Sequence, residues 1–159
     1  MQPLPHLESI LNKHEAGPLS GVFTDGGASP NPGPGGWGYV WVLDNQIVGQ
    51  AHGHAPETTN NRMELTAIIE ALKIIPADTE LTLFSDSNLC VQTLNTWAKG
   101  WEARGWRRKE GEVMNLDLVK EAYSLSQKHP NVKVTWIKAH NGWRWNEYAD
   151  GLATTWMKR

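Results

Sequence analysis

Apolar residues recur along the chain in two periods, and the changes between them mark out the elements. Val22 and Phe23 lead into Asp25-Gly26-Gly27, and the run Asn31-Pro-Gly-Pro-Gly-Gly36 separates them from Tyr39, Val40, Trp41, Val42 and Leu43. That pattern predicts strand, tight loop, strand, with Asp25 closing the first strand. Asp44-Asn45 predicts a turn into Ile47, Val48 and an alternating stretch ending near His54, a third, antiparallel strand. From Asn61 to Ile75, residues Leu65, Ile68, Ile69, Leu72 and Ile75 share one helical face, and Pro76 marks the end. Leu81 to Phe84 is a short β-rich run that stops at Ser85-Asp86-Ser87. Cys90, Val91, Leu94, Trp97, Ala98 and Trp101 then trace a second helical stripe. Leu118, Val119, Ala122 and Leu125 predict a further helix, and Val132, Val134, Trp136 and Ile137 a strand. The last helix is marked by Trp145, Tyr148, Ala149, Leu152, Ala153 and Trp156.

The predicted order is βββαβααβα. A meander followed by β–α alternation implies an α/β fold with a five-stranded mixed sheet, three antiparallel strands and then parallel ones, flanked by helices. Residues 1–19 carry three prolines and little periodicity beyond Leu7, Ile10 and Leu11, so they predict a short helical turn or loose arm ahead of a domain spanning 20–159. A chain of 159 residues fits one domain that hides roughly two-thirds of its unfolded surface.

Composition narrows the class. No apolar run approaches the roughly 20 residues of a membrane span, and the N-terminus lacks the basic stretch, apolar core and cleavage site of a signal peptide. The single cysteine, Cys90, excludes an intrachain disulfide and agrees with a reducing, cytoplasmic compartment. With no spare apolar helix face, a monomer without an obligate protein partner is expected. A formal net charge of −2 argues against coating nucleic acid through overall charge, so any such partner must be held by a local patch. One lies between Trp97 and Lys109, where Lys99, Arg104, Arg107, Arg108 and Lys109 face one acid, Glu102. Three of the chain's nine tryptophans, Trp97, Trp101 and Trp106, lie in the same segment.

Four acids fall at predicted element ends or within helices: Asp25, Glu64, Asp86 and Asp150. Singly, Asp25-Gly26 reads as turn chemistry, Asn61-x-x-Glu64 as a capping box, Asp86 as a helix cap and Asp150 as a solvated helix residue. Together they differ, because adjacent parallel strands deliver their C-terminal ends to one region, and carboxylates converging there repel unless a cation joins them. Two hard divalent ions about 4 Å apart, held by carboxylates and water, suit phosphodiester cleavage. Oxygen-only ligation favours Mg2+, with Mn2+ as a substitute, and the scattered histidines make no zinc pattern. His52-x-His54 reads as a structural pair on one strand face. His140, in the loop Ile137-Lys-Ala-His-Asn-Gly142, is either an exposed loop histidine or a proton shuttle.

The stretches Phe23-Thr-Asp-Gly-Gly27, Asn31-Pro-Gly-Pro-Gly-Gly-Trp-Gly38, Thr58-Thr-Asn-Asn-Arg-Met-Glu-Leu65, Phe84-Ser-Asp-Ser87, the His140 loop and Asn146-Glu-Tyr-Ala-Asp150 resemble bacterial ribonuclease H of type 1, in order and in spacing. The resemblance runs from Gly21 to the last helix. It implies a ribonuclease H-like fold in which Asp25, Glu64, Asp86 and Asp150 bind two metal ions and His140 assists water attack or product release. It implies endonucleolytic hydrolysis of the RNA strand of RNA–DNA hybrids, leaving 5′-phosphate and 3′-hydroxyl ends. Asn31, Asn60, Asn61, Asn88 and Gln92 resemble the residues that read the hybrid's minor groove, although Asn60 and Asn61 also suit turn or cap duty. The segment from Trp97 to Lys109 resembles a basic protrusion that grips the DNA strand. There Arg104, Arg107 and Arg108 would meet phosphates, Trp106 would add an aromatic surface, and Trp97 and Trp101 would be shared with the apolar stripe. The chain departs from the family pattern at Glu102-Ala103, which are basic in a well-known bacterial member, and in the bulky Trp143-Arg-Trp145. Two alternatives stay open: a hybrid-binding module without turnover, and another nuclease on the same fold, such as a junction resolvase or a reverse-transcriptase nuclease domain.

Overall fold

The computed structural model describes residues 1–108 and 111–157. A 3-10 turn, Pro5–Leu7, runs into α1 (Glu8–Lys13), followed by β1 (Gly21–Ala28), β2 (Gly33–Leu43), β3 (Gln46–Thr58) and α2 (Asn60–Ile74). Next come β4 (Leu81–Ser85), α3 (Asn88–Gln92), a π-helical turn (Thr93–Trp97) and α4 (Ala98–Ala103). The chain continues through β5 (Arg107–Arg108), β6 (Gly111–Glu112), α5 (Leu116–Lys128), β7 (Val132–Trp136), α6 (Arg144–Ala153) and a closing 3-10 turn, Thr155–Met157. The five-stranded sheet has the order β3-β2-β1-β4-β7, with β1–β2 and β2–β3 antiparallel and β1–β4 and β4–β7 parallel. This is the mixed α/β sheet that the hydrophobic pattern predicts. Among the described residues no helix is long and apolar enough to cross a membrane.

The sheet separates two apolar layers. On one side Val22, Leu83 and Val134 pack with Leu65, Ile68, Ile69 and Leu72 of α2 and with α3–α5. On the other, Phe23, Val40, Val42 and Phe84 pack against Trp145, Tyr148, Ala149 and Leu152 of α6. Successive strand residues point to opposite faces, so Val22 and Leu83 face one layer while Phe23 and Phe84 face the other. Asp44 and Asn45, both at positive φ (47° and 66°), make the tight β2–β3 turn that right-twisted strands favour.

Two local readings change, and a third is decided between its alternatives. The Gly/Pro run is mostly strand rather than loop: Gly26, Gly27 and Ala28 pair with Trp37, Gly36 and Gly35, so Asp25 lies inside β1 instead of closing it. The glycine at 36 serves packing, since a Cβ there would meet the Ala153 carbonyl oxygen at 2.3 Å. The stripe from Cys90 to Trp101 is interrupted by the π turn, near which Thr93 Oγ1 donates back to Leu89 O at 2.7 Å. Beyond it the β5–β6 pair appears, too short for a periodic signal. Of the two expectations for the N-terminal residues, the short helical turn is the one observed, and it is docked: Leu7 is buried, and Leu4 N donates to Tyr148 Oη at 2.9 Å.

α2 is tied to α5 by Arg62, whose Nη1 and Nη2 donate to the Asp117 carboxylate at 3.0 and 2.8 Å. Those bonds hold the Asp117 carboxyl down at about 2. A depressed acid adds stability above its ordinary value near 3.9 and loses it as pH falls through about 2. Because Asp117 is mostly exposed, the pair contributes no more than about 1 kcal/mol. Asp117→Asn is therefore expected to be less stable than wild type by that amount at pH 6, with the gap narrowing as urea unfolding is repeated down to pH 2.5.

Candidate active site

The register of the parallel strands determines where the acids meet. Thr24 pairs with Ser85 as the last matched residues of β1 and β4. Asp25 and Asp86 follow immediately, side by side at adjacent strands about 4.8 Å apart. Asp25 continues the face of Phe23, the side on which α6 packs.

Glu64 enters from the opposite layer. Thr59 caps α2 by accepting from Arg62 N at 3.2 Å, so the capping-box reading of Glu64 does not hold. The first turn of α2 lies directly on Gly26, where a Cβ would meet the Met63 carbonyl carbon at 2.3 Å. This approach lets Glu64 Oε1 accept from Gly26 N at 3.1 Å and Oε2 from Ser85 Oγ at 3.4 Å. Asp86 is likewise not a cap, since Ser87 caps α3 by accepting from Cys90 N at 3.2 Å.

Carboxylate oxygens of Asp25, Glu64 and Asp86 all lie within 4.8 Å of one another. Burial, then the Asp86 charge, then a hydrogen bond with Asp150 raise the Asp25 carboxyl well above the usual range. Burial and the charges of Asp25 and Asp86 do the same for Glu64. Burial also raises Asp86. No lysine or arginine among the described residues pairs with these acids. Asp150, on α6, adjoins Asp25 and forms a second group with His140 and Glu147, whose ligand atoms also fall within 4.8 Å of each other. Sequence reasoning missed Glu147, although its i,i+3 spacing to Asp150 places the two on one face of a helix. A cavity of about 480 Å³ joins Asp25, Glu64, Asp86, His140 and Asp150 with Asn60 and Asn61.

The proposed substrate residues distribute unevenly. Asn31 Oδ1 accepts from Asn60 N at 3.1 Å, and Asn60 Oδ1 accepts from Ala28 N at 2.8 Å, so both amide oxygens brace the site and each has its NH2 group left to offer. Asn61 lines the cavity and also a neighbouring groove formed with Leu89, Thr93, Trp97, Trp101 and Arg108. Asn88 and Gln92, on α3, line neither, and Gln92 Oε1 accepts from Thr96 Oγ1. Trp97 is exposed and lies 6.0 Å from Trp101, while Trp106 is turned edge-on to Tyr123 with Lys120 over its ring. Arg104 and Arg107 are exposed, Arg108 Nε donates to Glu112 O at 3.1 Å, and Lys109 lies outside the described residues. His140 is exposed, at φ 50°. Trp143 and Trp145 turn away from it, Trp143 edge-on to Phe84 and Trp145 Nε1 donating to Asn45 Oδ1 at 2.8 Å.

Carboxylates delivered to one end of a mixed sheet by two strands and two helices define a metal-dependent phosphodiester hydrolase on a ribonuclease H-like fold. The RNase H family model matches residues 20–158, and the chain belongs to that family. It is 43% identical over 132 residues to a ribonuclease H of Campylobacter jejuni, covering 83% of this chain and 86% of that one. It is also 43% identical over 133 residues to a ribonuclease H of Methylorubrum extorquens, covering 84% of this chain but only 58% of that longer protein. Among solved structures it is similar to LC9-RNase H1, a type 1 RNase H with the type 2 active-site motif, at TM-score 0.70 and 31% identity, covering 89% and 74% of the two chains.

A folded-state carboxyl raised above its ordinary value has no effect below the unfolded value, costs increasing stability as pH rises from there to the raised value, and costs a constant amount above it. Asp25→Asn is thus expected to unfold at higher temperature than wild type in EDTA at pH 7, by the equivalent of about 1 kcal/mol. The gain should shrink as pH approaches 4, and added Mg2+ should raise the wild-type midpoint more than the variant's.

Proposed function

We propose that this chain is an endonuclease that hydrolyses the RNA strand of RNA–DNA hybrids, with residues 20–159 as its catalytic domain. The observation that carries the reading is the convergence of Asp25, Glu64, Asp86 and Asp150 with His140 in one cavity bordered by Asn60 and Asn61. Membership of the RNase H family supports the same activity.

The donor set fits hard divalent cations. It offers only carboxylate oxygens around the first three acids, and burial together with their mutual repulsion raises the Asp25 and Glu64 carboxyls, which a bound cation would oppose. Asp25, Glu64, Asp86 and Asp150 would hold two Mg2+ or Mn2+ ions. When bound, such ions supply an activated water and neutralise the leaving oxygen, which gives 5′-phosphate and 3′-hydroxyl products. Gly26 N and Ser85 Oγ keep Glu64 aimed at the other acids. His140, exposed at the rim and close to Asp150, takes or gives a proton at an imidazole nitrogen as water attacks or product leaves.

Asn60 and Asn61 donate to 2′-hydroxyls or base edges of the minor groove, assisted by Asn31. The groove of Trp97, Trp101 and Arg108 holds the DNA strand, while Arg104 and Arg107 meet its phosphates. Trp106, wedged on Tyr123, supports that wall from behind. The protein works as a monomer in the cytoplasm, where the buried thiol of Cys90 stays reduced.

Cleavage of an end-labelled RNA–DNA hybrid, with duplex DNA and duplex RNA as controls, tests this reading. Wild type with Mg2+ is expected to cut only the hybrid's RNA strand. Asp86→Asn or EDTA should lower the rate by roughly two to three orders of magnitude or more, and His140→Ala by about a hundredfold. Binding of hybrid without cutting in either Mg2+ or Mn2+ would replace the reading with that of a non-catalytic binding module.

A further inference from the structure

The N-terminal segment lies outside the 20–158 family match, yet it makes specific contacts on both sides of the α6 residues that face the cavity. At the start of α6, Ala16 pairs with Trp143 as a parallel bridge, and Arg144 N donates to Ala16 O at 2.9 Å. Arg144 Nε donates to His14 O at 2.7 Å. Gly17, at φ +98°, lies against the Trp143 ring so closely that a Cβ would meet Cγ at 2.6 Å. Further along, Leu7 and Ile10 cover Gly151, where a Cβ would meet their methyl carbons at 2.7 and 2.9 Å, and Leu4 N donates to Tyr148 Oη.

These contacts bear on the His140 loop because of how that loop is held. Its upstream end is fixed to the sheet by Ile137 N donating to Ser85 O at 2.9 Å. Its middle has two positive-φ residues, His140 and Gly142, and nothing lies within 4 Å of a Cβ built at Gly142. Its downstream end is Trp143-Arg144, where the arm attaches. Asn141 Oδ1, accepting from Trp143 N at 2.9 Å and Asn146 Nδ2 at 3.3 Å, transmits that attachment back toward His140.

We propose that residues 14–17 are a positioning element of the active site, a strap that fixes the downstream anchor of the His140 loop and with it the placement of His140 beside Asp150. The strap touches no reacting group, and it acts through Trp143 and Arg144. The inference rests on the hydrolytic reading of the site above.

Two variants of the full chain loosen the strap differently. Gly17→Ala drives a methyl group into the Trp143 ring from a backbone conformation that disfavours alanine, whereas Arg144→Met keeps the aliphatic stem and removes the donor to His14 O. In hybrid cleavage, each is expected to lower kcat about tenfold with KM within twofold, as displacement of a catalytic group does. In a His140→Ala background the further loss should vanish, because the strap acts through that side chain. Hydrogen exchange of residues 138–146 should quicken in both variants while β1 and α2 are unchanged. Unchanged kcat, or an equal loss with and without His140, overturns the proposal. Should wild type prove inactive on hybrid, the hydrolytic reading fails separately, and hydrogen exchange alone decides: faster exchange confined to 138–146 supports the strap, and unchanged exchange refutes it.

Discussion

Three carboxylates, Asp25 and Glu64 buried and Asp86 partly so, with oxygens within 4.8 Å of one another are unfavourable for a metal-free protein, and much of this fold serves to hold them there. Asp25 and Asp86 cannot separate, because each follows the last residue of a matched parallel pair buried between two apolar layers. Glu64 is held in place because α2 rests directly on Gly26 and its carboxylate accepts from Gly26 N and Ser85 Oγ. The packing of both layers holds the acids together against that repulsion, which shows instead as carboxyls raised toward their protonated form. A cation is the natural way to release it.

The two layers contribute unequally. α2 presses onto the sheet through eight buried residues, among them Glu64 itself, so its acid is fixed by the same burial that holds the helix. α6 is shorter, and part of its packing comes from the N-terminal arm over Gly151 and Trp143 instead of from the sheet. Asp150 and Glu147 are correspondingly less buried than Asp25 and Glu64. The α6 half of the site is thus the more exposed one, and the arm adds to the packing that the sheet gives its helix.

The long periodic elements were legible in the sequence, and α2 comes within a residue of its predicted limits, because a fully buried helical stripe has one period and few competing explanations. The four acids were legible as a group through strand-end logic, though not their individual settings: Asp25 is mid-strand, and Thr59 and Ser87 take the capping duties that suited Glu64 and Asp86. The glycine-rich run was misread as loop because glycine signals a turn and a close approach with the same letter. Only the position of Trp156 and Ala153 above Gly36 distinguishes the two. The arm was hidden for a related reason, since its contacts are to Tyr148, Trp143 and Gly151, more than a hundred residues away.

The aromatic-basic segment shows how one stretch divides its labour. Trp101 and Trp106 both pack against the core, while Trp97 stays exposed at the groove mouth beside Arg108. A cationic loop on a chain of net charge −2 gains little from overall field, so its orientation must come from packing. Trp106, edge-on to Tyr123 and capped by Lys120, supplies it by joining the segment to α5. The Arg62–Asp117 pair then joins α5 to α2, two residues from Glu64. Groove and carboxylates are thereby held in one frame.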